Sequence, residues 1–416
     1  MRIILYEDRL WRRFLPLTAL RSIHELRCGI LPLWEKSVLR LGGLVEALAC
    51  RPGVAEAWIL DRPDLPLNPP GAAESLWLNA RVMWNQERLD MALELTEGQA
   101  LTDETGNVLA VSATLDAADP DLADRIAERV VETTPVDWPQ LRAWFDLLRI
   151  SPEEILRDAR TLNLFETHTP LEMVHLMGDG DAWLGDGVTV GPNVTLDTRE
   201  GPVVVDDGAT LLPGAYLQGS CYIGKGTLVR ANTTLYEGCS IGKRCKVGGE
   251  LHNVLMLGHA NKQHEGYLGN AVIASWVNLG AGTSNSDLKN TYGTVTTAVD
   301  GEPVATGLMF LGCCLGDHTK TSIGTILNTG TVTGVSCNLF GAGFHPVTIP
   351  DFVWGQPGGY KDYRVENAVA TARTVMGRRH VEMSPAYENL LRSRFEATGE
   401  TRQDFLGRRM HRSRKG

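Results

Sequence analysis

Two stretches of the chain concentrate side chains that can exchange protons or bind phosphate and hydroxyl groups. The stretch 252–267 holds three histidines, and the stretch 285–292 holds an aspartate, a lysine and two asparagines. Imidazole has an unperturbed pKa of about 6.5, so a neutral histidine can accept a proton from a reacting group. The members of the two stretches are His252, His259, Asn261, Lys262, His264 and Tyr267, then Asn285, Asp287, Lys289, Asn290 and Tyr292.

Cationic side chains near the N-terminus form a second candidate site. Arginine and lysine clamp phosphate groups even where no glycine-rich backbone loop surrounds the phosphates. We therefore predict that this region binds a phosphate-bearing ligand, which the family resemblance given below identifies as a nucleotide or a sugar phosphate. The candidate ligands are Arg13, Arg21, Arg27 and Lys36.

A six-residue repeat predicts the scaffold that must position the two polar stretches. Aliphatic residues recur at every sixth position from Val205 to Val247, and a small residue stands four positions after each of the first seven. Upstream, Leu184, Val190 and Leu196 keep this step, and downstream Ile273, Leu279, Ile323 and Val335 resume it. This period fits neither a helix nor a plain alternating strand.

Three short strands per coil, joined by tight corners, explain the six-residue period, as in a hexapeptide parallel β-helix. The aliphatic residue then points into the prism and the small residue fits at a corner. The repeat breaks between Val247 and Ile273 and again after Leu279, where the polar stretches lie. Loops on a rigid scaffold commonly carry sites. Packing alone explains the cysteines in small-residue positions, Cys221, Cys239 and Cys245.

The rest of the chain predicts a mixed architecture. Residues 1–120 alternate strand and helix patterns, including a strand at Arg2–Leu5, a helix over 34–48 and a strand over 57–60, which indicates a small α/β domain. We expect a helical connector over 121–178, the β-helix over 179–355 and a helical C-terminal extension over 356–416 that ends in a basic tail.

Composition excludes several classes of protein. The 416 residues are 43% hydrophobic, and 40 Lys and Arg against 50 Asp and Glu give a net charge of −10. No basic excess is present for nucleic acid or an anionic membrane, and no apolar run reaches the length of a membrane span. We expect a cytoplasmic protein with reduced cysteines and a small-molecule substrate, and neither nucleic acid nor membrane as a partner.

The stretch from Lys262 to Thr283, K-Q-H-E-G-Y-L-G-N-A-V-I-A-S-W-V-N-L-G-A-G-T, resembles the acetyltransferase core of bifunctional glucosamine-1-phosphate acetyltransferase/uridylyltransferases. The longer segment N-L-G-A-G-T-S-N-S-D-L-K-N-T-Y-G is more similar to a sugar nucleotidyltransferase branch of that family with a C-terminal hexapeptide-repeat domain. The resemblance implies that the β-helix is left-handed. It also implies a homotrimer, because sites in the family are shared between adjacent prisms.

The resemblance also implies roles for individual residues. His264 would be the general base that takes a proton from the amine of a sugar phosphate while the amine attacks acetyl-CoA or another acyl-CoA. Asp287 or Asn285 would contact His264 or that amine. The substrate ligands would be Arg230, Lys262, Tyr267, Asn278 and Lys289, and the acyl-CoA contacts would be Ala281 and Cys313. The family's lysine after Val247 has no counterpart, so Lys262 or Lys289 would replace its charge.

The N-terminal block around Arg13-Phe14-Leu15-Pro16-Leu17-Thr18 resembles part of the sugar-1-phosphate nucleotidyltransferase signature, without the glycines that precede it in the family. This likeness implies an NTP and Mg²⁺ as further ligands of the N-terminal domain. Three functions remain open: acyl transfer with nucleotide binding, nucleotidyl transfer alone, and a non-catalytic assembly or sugar-nucleotide-binding role.

Zinc binding is the alternative use of the histidines. His259 and His264 are five residues apart, a spacing also found in zinc-binding carbonic anhydrases with hexapeptide repeats. A third ligand is required, from His252, His318 or His345. We favour the base and predict no metal at these histidines.

Overall fold

The structure, a computed structural model, describes residues 1–164 and 173–413. Its N-terminal part is a six-stranded sheet with the strand order β2-β1-β3-β5-β4-β6. The sheet continues past residue 120, the boundary that the sequence predicts, because β6 pairs with β4. The strands are β1 (Arg2–Tyr6), β2 (Ala47–Ala49), β3 (Ala73–Asn79), β4 (Gln99–Thr102), β5 (Val108–Leu115) and β6 (Glu132–Pro135).

Helices surround this sheet and form the C-terminal extension. The helix expected over 34–48 ends at Arg40, because Gly42 and Gly43 adopt the left-handed conformation that terminates helices. The segment expected as a strand over 57–60 instead follows a short helix. The helices are α1 (Leu33–Arg40), α2 (Pro52–Ala57), α3 (Gln86–Leu93), α4 (Leu122–Arg129), α5 (Asp146–Thr161), α6 (Val365–Gly377), α7 (Pro385–Ala397) and α8 (Gly399–Ser413), with 3-10 helices at Arg9–Phe14 and Ile23–Glu25.

The fold class is confirmed: a small α/β domain precedes a left-handed parallel β-helix, and helices follow it. Short strands repeat on three faces of the prism. The first face contains His175–Met177, Thr195–Asp197, Tyr216–Gln218, Thr234–Leu235, Ser284–Asn285 and Ile326–Leu327. The second contains Ala182–Leu184, Val203–Val205, Cys221–Ile223, Ser240–Ile241, Cys314–Leu315, Val332–Thr333 and Thr348–Ile349. The third contains Thr189–Val190, Thr210–Leu211, Leu228–Val229, Lys246–Val247, Asn261–Lys262, Lys320–Thr321, Asn338–Leu339 and Val353–Gln356.

Five further strands complete this part of the chain. Glu250–Met256 and Tyr267–Ile273 each run from the first face to the second. Gly359–Asp362 pairs antiparallel with the last strand of the third face. A hairpin of Thr296–Val299 and Glu302–Ala305 projects from the segment 286–313, where the repeat breaks.

The six-residue repeat fills the prism as predicted. All eight aliphatic residues from Val205 to Val247 are fully buried in one core, together with the small residues between them. The prediction that Ile323 belongs to the interior repeat is wrong, because its side chain is 80% exposed at a corner. The fully buried Leu327 fills the core beside that coil instead.

The N-terminal domain docks on the second face of the β-helix. Leu255, Val272 and Cys314 of that face share a core with Phe14 and Trp144. The C-terminal helices cover the corner between the second and third faces, where Trp276 packs with residues of α6 and α7. The N-terminal domain therefore packs directly against the solenoid.

A buried cluster of four charges joins α1 to α5. The Lys36 ammonium lies 2.8 Å from Glu154 and 2.6 Å from Asp158, and Arg40 lies 2.8 Å from both carboxylates. Lys36 is 2% exposed and both carboxylates are 0% exposed. Removal of one partner from such a cluster leaves an uncompensated buried charge.

We predict that Lys36→Met lowers the free energy of unfolding by about 3–5 kcal/mol, the usual cost of breaking a buried ion pair. Denaturant unfolding of the full chain measures this change. The matched control is Lys225→Met, since Lys225 is 68% exposed in its pair with Asp207, and its loss should cost below about 1 kcal/mol. A Lys36→Met protein as stable as the control would contradict the assignment.

The same cluster predicts a dependence of stability on pH. Burial alone would raise the pKa of Glu154, but Lys36 and Arg40 outweigh it and lower the pKa from 4.5 to about 2. A lowered pKa in the folded state stabilises the fold above pH 4.5, and this contribution is lost as the pH falls to 2. Unfolding curves of Glu154→Gln should therefore lose less stability across that range than those of the exposed-site control Glu153→Gln. Parallel pH profiles for the two variants would refute this.

Candidate functional site

His264 lies at the corner that joins the third face to the first. Its side chain is exposed, and its imidazole makes no hydrogen bond within the part of the chain that the structure describes. The fully buried Lys262 anchors the backbone of this corner. Its ammonium donates to the carbonyl oxygens of Gly248 at 3.2 Å, His264 at 2.5 Å and Glu265 at 3.1 Å.

The anchoring role of Lys262 differs from the substrate contact that the sequence predicts. All three ammonium hydrogens face backbone carbonyls, and burial lowers the pKa of the lysine to about 8. A lysine with its donors used in this way shapes the His264 corner and leaves no free donor for a phosphate.

Residues from successive coils align with His264 along one edge of the prism. His264, Ala281 and Ile323 each come two positions after the stacked residues Lys262, Leu279 and Thr321. Ala281 is half-buried and Ile323 is exposed. The exposed Arg230 lies at the corresponding corner two coils before that of His264. We call the edge that carries Arg230, His264, Ala281 and Ile323 the His264 edge. The structure thus brings three sequence-predicted residues, Arg230, His264 and Ala281, to one exposed line.

Tyr267 and Asp287 meet across the first face. The Tyr267 hydroxyl donates to Asp287 Oδ2 at 3.0 Å, and Asn270 Nδ2 donates to the same oxygen at 2.8 Å. Burial and the nearby Asp287 raise the pKa of Tyr267. A side chain at Gly269 would collide with the tyrosine hydroxyl, which explains the glycine there.

Asp287 and Asn285 do not touch His264 among the described residues. Asn285 is buried and exchanges two hydrogen bonds of 2.9 Å with the backbone of Gly269. Asp287 holds Tyr267 instead. Both residues therefore organise the first face, and neither orients the imidazole within one chain.

Asn278 lies on the third face, where its Oδ1 accepts from Asn261 at 3.1 Å. Asn261 in turn accepts from Arg379 at 2.6 Å. Arg379 follows α6 and reaches the solenoid only because the C-terminal helices fold back on it. No local pattern in the sequence indicates this arginine.

Two predicted ligands lie away from the His264 edge. Cys313 is fully buried in the prism core, and burial raises the pKa of its thiol to about 12, so it cannot contact a bound acyl-CoA without unpacking the core. Lys289 donates to the carbonyl of Thr294 at 2.5 Å within its own loop.

The four cationic residues of the N-terminal prediction do not all converge, although Arg21 and Arg27 line the same cavity. Lys36 is held in the buried cluster with α5, and Arg21 is buried against Asp317 of the β-helix at 2.5 Å. Arg13 is bonded to the carbonyl of Arg142 at 2.7 Å. Arg27 lines a cavity between the sheet domain and the β-helix. Two of the four are thus structural ion-pair partners.

The usual ligand position of such sheets is occupied by the chain's own side chains. Ligands of open α/β sheets bind beyond the carboxyl ends of strands where the strand order reverses, which here is the end of β1. Asp8 at that end pairs with Arg81 at 2.5 Å, and Glu7 pairs with Arg51 at 2.9 Å. These carboxylates are already neutralised, so they do not fit a Mg²⁺ site.

Residues 1–164 and 173–413 contain neither a candidate metal cluster nor a candidate membrane-spanning helix. In that part of the chain no group of three or more His, Cys, Asp and Glu side chains could hold a metal ion. No helix there is long and apolar enough to cross a membrane.

Comparison with known proteins supports the sequence resemblance. Residues 3–165 match the family described as sugar nucleotidyl transferase. The bifunctional protein GlmU of Stenotrophomonas maltophilia is 30% identical over 164 residues, which are 39% of this chain and 35% of that protein. The GlmU of Bordetella parapertussis is 36% identical over 121 residues, 28% of this chain and 25% of that protein.

An archaeal relative is the bifunctional sugar-1-phosphate nucleotidylyltransferase/acetyltransferase of Sulfurisphaera tokodaii, 30% identical over 34% of this chain and 36% of that protein. This chain thus spans about a third or less of the length of these relatives. Among solved structures, the Arabidopsis UDP-N-acetylglucosamine acyltransferase is 12% identical, with a TM-score of 0.30, over 55% of this chain and 96% of that one. Residues 3–165 are therefore similar to the sugar nucleotidyl transferase family.

Proposed function

We propose that the protein transfers an acyl group from an acyl-CoA to the amine of a sugar phosphate at the His264 edge. The observation that carries the proposal is the alignment of Arg230, His264 and Ala281 along one exposed edge of stacked coils. The sequence resemblance of this segment to the acetyltransferase core supports it, as do relatives whose names include acetyltransferase.

The reaction needs one proton acceptor. The amine nitrogen attacks the thioester carbonyl carbon while His264 takes the amine proton. The new C–N bond forms, the C–S bond breaks, and the CoA thiolate leaves with a proton returned by the imidazolium. Arg230 is exposed and available for the sugar phosphate, whereas Tyr267 and Asn278 contact the sugar.

The acyl chain and its pantetheine fit along small residues of the same edge. Ala281 is half-buried, and the neighbouring Gly282 has no atom closer than 3.6 Å to the position of an added side chain. A narrow thioester chain can therefore lie close to the backbone there. Asp287 acts as a positioning residue, since it fixes the hydroxyl of Tyr267 at 3.0 Å.

His264→Ala should lower kcat for acyl transfer by about 10²–10⁴-fold, the usual contribution of a general base. Release of free CoA with a panel of amino sugar phosphates measures the rate. Tyr267→Phe should raise KM more than it lowers kcat, because it removes a binding contact. The control is His252→Ala, since His252 bonds Glu237 at 3.1 Å near a different corner. Undiminished CoA release from His264→Ala would refute the base.

A homotrimer is the second element of the proposal. Four large apolar side chains are exposed on this part of the solenoid: Phe310 (50%), Ile323 (80%), Ile326 (43%) and Phe344 (62%). Ile326 and Phe344 are paired by a β-bridge on the first face. Exposed apolar patches of this kind mark interfaces, and closed symmetric oligomers are the usual result. Because Ile323 shares the edge with His264, a second copy packed there would supply the missing contacts of the imidazole.

We predict that Ile323→Glu converts the trimer into a monomer, because a carboxylate would be buried in the interface. Sedimentation of the 45.5 kDa chain measures the mass of the assembly. The matched control is Val131→Glu, an apolar residue 87% exposed on the sheet domain, which should leave the mass unchanged. A wild-type protein that sediments as a stable monomer would contradict the trimer.

Nucleotidyl transfer by residues 3–165 is the second candidate function, and the family match of that domain favours it. Its substrates would be an NTP and a sugar 1-phosphate. Release of pyrophosphate distinguishes it from acyl transfer, which releases CoA. Neither release, together with binding of a sugar nucleotide, would indicate the non-catalytic role.

A further inference from the structure

A cavity of about 420 Å³ lies between the sheet domain, the second face of the β-helix and α7. It is separate from the His264 edge, which lies at another corner of the prism. Four of the ten tryptophans of the chain line it: Trp34, Trp58, Trp183 and Trp276. Cavities of this size, with aromatic walls and a few polar groups, commonly bind small molecules.

His259 is the polar group that most requires a ligand. It is 3% exposed in the cavity wall, and neither ring nitrogen has a hydrogen-bond partner within the described residues. Leaving such nitrogens unpaired is unfavourable. Burial lowers the pKa of His259 to about 4, so the ring is neutral at pH 7 and offers one donor and one acceptor.

The repeat fixes His259 in this position. His259, Trp276 and His318 each come three positions after paired residues of the second face, and all three have positive φ angles of 55°, 65° and 61°. Their rings stack in a column, with centroids 4.4 Å apart for His259 and Trp276 and 6.2 Å for Trp276 and His318. His259 therefore cannot turn away to find a partner without leaving the column.

Arg27 supplies a second unpaired donor in the same wall. Its Nη1 bonds the carbonyl of Ile30 and its guanidinium lies over the Tyr222 ring, 5.4 Å from the centroid. Its Nε is buried without an acceptor among the described residues. An occupant with hydroxyl or carbonyl oxygens would satisfy Arg27 and His259 together.

The cationic and acidic side chains that line the cavity are equal in number: Arg21, Arg27, Lys225 and Lys243 against Glu25, Glu35, Asp61 and Asp206. Lys243 pairs with Asp61, Lys225 pairs with Asp207 at 3.2 Å, and the Tyr222 hydroxyl donates to Asp206 at 2.9 Å. No concentrated positive charge remains for a phosphate. An uncharged occupant with many hydroxyl groups and a ring face suits this wall, because the C–H face of a pyranose packs against indole rings.

We propose that this cavity binds an uncharged pyranose sugar, stacked on its tryptophans and hydrogen-bonded to His259 and Arg27. The proposal does not depend on acyl transfer at the His264 edge. The cavity lies between the sheet domain and the β-helix, so an occupied cavity would strengthen the contact between them.

Calorimetric titration of the full-length protein with glucose, N-acetylglucosamine and chitobiose tests the proposal, with uridine and UMP as comparison ligands. One of the sugars should bind to the wild type. His259→Leu should weaken its binding by about tenfold or more, as expected for the loss of a buried hydrogen bond. Trp276→Leu removes the indole whose ring centroid lies 4.4 Å from that of His259, so it should weaken binding as well and serves as the second variant if His259→Leu does not fold.

Two controls locate the site. His252→Leu, outside the cavity, and His264→Ala, on the His264 edge, should bind the sugar as the wild type does. A thermal melt adds a readout that a purely structural histidine would not give: without sugar, His259→Leu should melt at the same or a higher temperature, because an unpaired buried group is removed. Four results would each overturn the proposal: absence of sugar binding, unchanged binding by His259→Leu and Trp276→Leu, loss of binding in His264→Ala, or binding of uridine or UMP in place of the sugars.

Discussion

In-register stacking of coils is the constraint on which the rest of the structure depends. Backbone hydrogen bonds join each short strand to the equivalent strand of the next coil, so a residue at a given position lies above its counterparts. A functional group at one corner therefore belongs to a column along the whole edge. Both the His264 edge and the His259–Trp276–His318 stack are columns of this kind.

The register also explains which features the sequence could predict. An interior position of the prism accepts only a side chain that fills it, so the aliphatic repeat from Val205 to Val247 predicts the core directly. The same rule accounts for the buried cysteines, including Cys313, whose predicted contact with acyl-CoA the core position rules out. The six-residue spacing points to Ile323 as a core residue. A long insertion precedes it, however, and changes which residues face the interior, so Ile323 lies at an exposed corner instead.

The N-terminal cations show what a local pattern cannot predict. Lys36 meets Asp158 from 122 residues away, and Arg21 meets Asp317 from 296 residues away. Sequence patterns suggest that a cation binds phosphate, but a carboxylate brought near by the tertiary fold competes for the same charge. Burial then favours the intramolecular pair, since an unpaired buried charge is costly. The sheet domain consequently uses its charges to dock on α5 and the solenoid.

These contacts determine which part of the prism is left exposed to carry the proposed acyl-transfer site. The second face of the prism is occupied by the sheet domain, which leaves the His264 edge as the exposed line on which Arg230, His264 and Ala281 lie together. The imidazole has no hydrogen-bond partner among the described residues, and the exposed apolar residues beside it suggest that a second copy would complete the site. The edge and the oligomer are thus two parts of one hypothesis.

Hydrogen–deuterium exchange of the full-length protein with and without acetyl-CoA tests the central claim most directly, because it locates the bound molecule without requiring the acceptor sugar. The account predicts slower exchange at the corner segments 230–232, 263–266, 280–283 and 322–325, which together form the His264 edge. Protection confined to the sheet domain or to the cavity beside Trp276, with those corners unchanged, would contradict it.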